Sequence, residues 1–164
     1  MIATTEATGQ RRARMSTTET HDTAPITPEF LAAGRAIFTV ANPSGEHYTF
    51  RFVRSEPSGD YTRPAYWAQL LTGPDNESDY TYVGRFDPSG GAVVRTKGSQ
   101  LADDSRPMRV LRWAVAIVYG RATLPEGYRI HHEGRCGRCG RMLTTPTSYE
   151  RGIGPECLRK MEGE

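Results

Sequence analysis

Two stretches near the start of the chain, Arg35–Ala41 and His47–Arg54, alternate or cluster β-branched and aromatic residues. That pattern predicts strands, and the Asn42-Pro43-Ser44-Gly45 turn between them makes the pair a hairpin. Residues 55–64 read as a loop. Ala65–Thr72 and Tyr80–Phe86 follow as two more strands around the turn 73–79, and Asp87-Pro88-Ser89-Gly90-Gly91 leads into a fifth, Ala92–Lys97. Turns this short cannot make parallel crossovers, so the expected arrangement is an antiparallel meander. Tyr48, Phe50 and Phe52 share one face of their strand and need a cover. Ser105–Tyr119 supplies it, with Val110, Leu111, Ala114, Val115, Ile117 and Val118 at helical spacing, Pro107 at its start and Gly120 after its end.

Smaller elements frame this core. Thr27–Gly34 predicts a short helical turn, capped by Thr27, with Pro28 at the first helical position. Tyr128–His132 predicts a short strand. Residues 1–26 are rich in Thr, Ala and charge and nearly free of bulky apolar side chains, so they are expected to be a disordered tail; Met15 is an alternative start. The expected fold class is α+β: a meander of about five strands covered by one helix over residues 27–127, then a small treble-clef-like zinc module over residues 128–164.

Composition narrows the class. The 164 residues suffice for one domain and an appendage, and 17 glycines with 11 prolines imply many turns. A formal charge of +2 marks no global nucleic-acid binder, but the cations concentrate: Arg135, Arg138, Arg141, Arg151, Arg159 and Lys160 stand against Glu150 and Glu156 within residues 134–160. The three cysteines cannot pair completely, which argues against a disulfide framework and for a reducing cytoplasm. No apolar run approaches the roughly 18 residues of a membrane span.

All three cysteines lie in HHEGRCGRCGRMLTTPTSYERGIGPECLRK, residues 131–160. Cys136-Gly137-Arg138-Cys139-Gly140 is a knuckle, in which two intervening residues let both sulfurs face one ion and glycines permit the tight turn. Residues 141–149 are long enough for a small hairpin, and Cys157 opens a short helix over Cys157–Met161. Knuckle, hairpin and ligand-bearing helix form the treble-clef plan, which points to one structural zinc ion held by Cys136, Cys139 and Cys157. The plan's usual fourth positions are Lys160 and Met161, neither a zinc ligand, so the expected fourth donor is His132, with His131 as the alternative.

The run His132-x-Gly134-x-Cys136-x-x-Cys139-Gly140-Arg141-x-Leu143-Thr144-x-Pro146-x-Ser148, followed by Gly152-Ile153-Gly154-Pro155-x-Cys157, resembles an uncharacterised family of small bacterial and phage proteins, a domain of unknown function. The resemblance extends upstream to Leu71–Tyr80, covering residues 30–160. It implies a zinc-binding C-terminal module, found in phage or mobile-element settings, with no established activity.

Other patterns stand beside it. Gly152-Ile153-Gly154 resembles the phosphate-gripping turn of a helix-hairpin-helix, but residues 144–148 with Pro146 make a poor flanking helix. Asp75, Glu77 and Asp79 alternate as calcium ligands can, without the glycine and glutamate a calcium loop requires. Arg95, Lys97, Ser99, Arg106, Arg109 and Arg112 form a second basic cluster. The aromatics Tyr66, Trp67, Tyr80, Tyr82 and Phe86 could stack bases or build core. The favoured function is a non-enzymatic binding module presenting Arg135, Arg138, Arg141, Arg159 and Lys160 to nucleic acid. The alternatives are a phage-type factor docking on a host protein complex, with purely structural zinc, and a small-nucleotide binder or enzyme.

Overall fold

The structure, a computed structural model, describes residues 26–59 and 62–163. The tail assigned to residues 1–26 lies outside the described residues except for Ile26, which is buried in the main core. Six strands form one antiparallel sheet: β1 (Arg35–Ala41), β2 (His47–Ser55), β3 (Ala65–Leu71), β4 (Tyr80–Asp87), β5 (Ala92–Val94) and β6 (Arg129–His132), in the order β5-β4-β3-β2-β1-β6. The first five are the expected meander. The sixth closes the free edge of β1, with Phe38 opposite His132 and Val40 opposite Ile130, so the chain returns to where the sheet began before it enters the cysteine-rich segment.

β5 is shorter than its apolar pattern predicts. Beyond Val94 the chain turns, Ser99 N–H donating to Thr96 O and Thr96 N–H to Ser99 Oγ. β4 carries a bulge opposite Ala68/Gln69, where Gly84 sits so close to Val94 O that a Cβ would lie 2.5 Å from it. Only glycine allows that approach.

All five phenylalanines are buried, and they build the core on one face of the sheet. Phe38 meets Phe52 edge-on at 5.3 Å, and Phe52 and Phe86 lie 4.4 Å apart. Helix α2 (Arg106–Val118) covers this face with Met108, Leu111, Ala114 and Val115, and α1 (Pro28–Leu31) adds Phe30 and Leu31. The aromatics therefore divide by strand alternation. Phe50, Phe52, Phe86, Tyr48 and Tyr66 belong to the core side, whereas Trp67 and Tyr82 stand on the opposite face, half-buried.

The last segment departs from expectation. No hairpin follows the knuckle; a single bridge joins Arg135 to Met142, and residues expected to pair form helix α3 (Pro146–Arg151) instead. Pro146 helps rather than hinders, because it occupies the first helical position, where its missing N–H costs nothing. Thr145 caps that helix, its hydroxyl accepting from Ser148 N–H, and Gly152 ends it in the left-handed conformation at φ 72°. Helix α4 (Pro155–Glu162) completes the chain.

Candidate metal centre

The knuckle is closed by its own backbone. Cys136 N–H donates to Arg141 O at 2.8 Å, Gly140 N–H to Cys136 O at 2.9 Å, and Leu143 N–H to Gly134 O at 2.8 Å. Gly134 and Gly140 adopt φ of 76° and 80°, which a side-chain-bearing residue would resist. This loop presents two sulfurs in one direction, and the α3–α4 corner brings the third. Cys157 sits in the first turn of α4, behind Pro155 at the first helical position.

The sulfurs of Cys136, Cys139 and Cys157 all lie within 4.8 Å of one another and could hold a metal ion. A tetrahedral ion with sulfur bonds of about 2.3 Å would set them roughly 3.8 Å apart, within that ceiling. Electrostatics favours a cation here. Burial opposes ionisation of Cys136, but the N–H groups of Gly154, Cys139 and Arg138, with the Cys139 thiol, outweigh it and bring Cys136 down to about 7. Burial and the two neighbouring sulfurs push Cys157 up to about 11. One thiolate is thus stabilised by the fold while the next is penalised, a conflict that a divalent cation removes.

His132 is placed elsewhere, and the physical reason is plain. Its Nδ1 accepts from Gly134 N–H at 3.0 Å, so Nε2 carries the proton and donates to Tyr149 O at 2.8 Å. Both nitrogens are used, and the ring packs between Phe30 (5.2 Å) and Tyr149 (4.9 Å). Burial, followed by the charge of His131, lowers its pKa against the raising effect of the Tyr149 carbonyl. His131 pairs in register with Thr39, and it does not join the sulfurs either. On its open side the trio borders a cavity of about 220 Å³, also lined by Met142, Leu143, Thr145, Ser148 and Glu156.

The expected cations differ in their surroundings. Arg135 is exposed, and its guanidinium donates to Gly140 O at 3.3 Å. Arg138 is half-buried. Arg141 approaches Glu156 at 3.8 Å, while Arg159 and Lys160 project from the last turn of α4. The other candidate sites are consumed internally. Gly152 N–H serves Ser148 O, Gly154 N–H serves Cys136 Sγ at 3.4 Å, and Ile153 is buried, so the Gly-Ile-Gly corner has helices on both sides but no outward amides from its glycines. Asp75 Oδ1 accepts from Glu77 and Ser78, and Asp79 Oδ2 from Asp75 N–H, which makes this segment a self-bonded turn. In the second basic cluster, Arg112 is taken by Val93 O and Asp103, Arg95 by Leu101 O, and Arg106 by Glu46.

The residue that sequence reasoning missed is Phe30. A Cβ added at Gly137 would lie 2.7 Å from its ring, and one at Gly152 2.5 Å. The ring thus fills the space that two glycines leave in the knuckle and in the α3–α4 corner. Arg35 N–H donates to Gly137 O at 2.6 Å, and Gly137 N–H to Gly152 O at 2.8 Å, tying sheet, knuckle and corner in series. The two glycines were the available signal.

Fold and site together define a small α+β protein whose cysteine cluster is welded to the edge of an antiparallel sheet. Residues 131–162 match the model of DUF6011, a family of unknown function. The match spans the end of β6, the knuckle and both terminal helices, in agreement with the resemblance carried by the cysteine motif; it does not reach residues 71–80. No curated protein and no solved structure matches the chain. Among the described residues, no helix is long and apolar enough to cross a membrane.

Proposed function

We propose that the chain is a non-catalytic binding module, stapled by one zinc ion on Cys136, Cys139 and Cys157, that engages nucleic acid through cations around the knuckle. The observation that carries the metal reading is the convergence of three sulfurs within 4.8 Å, one of them receiving a backbone N–H. Zinc suits thiolates and demands no redox partner, and the three sulfurs account for three of its four usual ligands. When bound, it supplies a cross-link between the knuckle and α4. Two ligands come from a loop too short to bury a core, and the third comes from a helix, so the ion holds together elements that have little apolar surface of their own.

The nucleic-acid reading rests on Arg135, Arg138, Arg141, Arg159 and Lys160, which ring a segment poor in carboxylates. A second reading, docking on a protein, is favoured by Met142, 60% exposed at the rim of the cavity beside the thiols. Elemental analysis and a salt titration test both parts. The purified protein should carry one zinc, and Cys157→Ser should lose it; full zinc content in that variant overturns the ligand set. Affinity for a labelled oligonucleotide should fall with salt at a log–log slope of about −0.7 to −0.9 per phosphate contact. No binding at low salt would leave the protein-docking reading in possession.

A further inference from the structure

The cations of the knuckle continue onto the sheet. Arg135 and Arg35 line one cavity of about 400 Å³ between the knuckle and β1. From Arg35 the antiparallel register runs on across the strands: Arg35 opposite Val53, Val53 opposite Trp67, Trp67 opposite Arg85. Their neighbours Ala36, Phe52, Ala68 and Phe86 are the buried ones, so strand alternation turns this row to the face away from the phenylalanine core and α2. At about 4.8 Å per strand the row from β1 to β4 is roughly 14 Å long, the reach of a few nucleotides.

Its chemistry alternates cation, apolar surface and cation. Trp67 is half-buried and held in place, its Nε1–H donating to Ser55 Oγ at 3.0 Å and its ring meeting Tyr82 at 61° and 5.9 Å. Arg35 and Arg85 are exposed and take no part in the ion pairs of the described residues. Asp87, farther along β4, is engaged by Ser89 N–H and Oγ–H and also interacts electrostatically with Arg85. Glu77 and Glu133 line the same cavity as Arg35 and Arg135. A fixed aromatic ring flanked by two exposed guanidinium groups fits a base between its phosphates, and a duplex, whose base faces are covered, cannot use the ring.

We infer that the strip Arg135–Arg35–Trp67–Arg85 is a track for single-stranded nucleic acid, with a base stacked on Trp67 and phosphates on Arg35 and Arg85. The inference rests on the nucleic-acid reading above and names the surface that serves it.

The test uses full-length, zinc-loaded protein and two probes, a labelled oligodeoxythymidylate and the same strand annealed to its complement. The single strand should bind more tightly. Trp67→Ala should weaken it about tenfold, Trp67→Phe should retain most of the affinity, and Arg85→Ala should reduce the salt slope by about 0.7. The chain has two tryptophans, and Trp113 lies on α2 against Tyr128 at 5.4 Å. The strand should therefore quench Trp113→Phe, in which Trp67 is the sole reporter, and should leave Trp67→Phe unquenched. Arg85 is exposed, so its variant carries the test if Trp67→Ala fails to fold. Unchanged affinity in Arg85→Ala, with no quenching of Trp67 in Trp113→Phe, alongside lost binding in Arg159→Ala/Lys160→Ala, overturns the track and leaves the broader reading standing. Equal affinity for the duplex overturns the stacking. No binding to either probe removes both.

Discussion

His132 and the three cysteines show what one residue's environment decides. A histidine four positions before a Cys-x-x-Cys knuckle has the right chemistry for zinc, yet here a backbone N–H occupies one nitrogen and a carbonyl the other. His132→Ala should therefore keep a full complement of zinc while losing stability, as measured by elemental analysis beside thermal denaturation. Nitrogen NMR should find the Nε2–H tautomer persisting below the ordinary value of 6.5, because burial lowers the folded pKa. The sign of the linkage follows: between the folded pKa and 6.5 the unfolded chain binds more protons, so stability falls as pH is lowered through that window. His132→Asn, which can accept and donate at the same two points, should flatten that part of the pH profile. The grouping of the three thiols was legible from spacing alone. The histidine's role was not, because spacing carries no information on which hydrogen bonds a ring finds.

Among the helices, α1 is the shortest, yet it touches both the sheet core and the cysteine corner. Its four residues, Pro28–Leu31, place Phe30 between the sheet core and the cysteine corner. Gly137→Ala should push that ring aside and cost about 1–3 kcal/mol, as overpacking does, measurable by denaturant unfolding; an unchanged midpoint would show that Phe30 moves freely. Helix α3 illustrates the opposite error of reading. Pro146 weakens a helix interior but favours a helix start, and the choice depended on recognising Thr145 as its cap. Two helices then flank Gly152-Ile153-Gly154, but the amides of both glycines point at Ser148 O and the Cys136 sulfur. A corner that looks like a phosphate grip is in fact a helix cap and a sulfur cradle.

At the scale of the whole molecule, the cysteine corner and the sheet are joined by β6 on the edge of β1, by Phe30, and by the Arg35–Gly137 hydrogen bond. Chelating the proposed zinc should consequently do more than melt the terminal helices. Hydrogen exchange should accelerate through residues 134–162 and in α1, while the centres of β2, β3 and β4 stay protected. Exchange confined to α4 would mean that the ion staples only its own loop. The strands, the covering helix and the thiol trio followed from the sequence by itself, since period, turn residues and Cys-x-x-Cys spacing are local and each reports on neighbours a few residues away. The sixth strand's place beside β1, the wedge of Phe30 into two glycines, the loss of His132 to hydrogen bonds, and the alignment of Arg35, Trp67 and Arg85 across three loops were decided by tertiary structure. Each depends on register between segments distant in the chain, and register is set by packing the whole sheet at once.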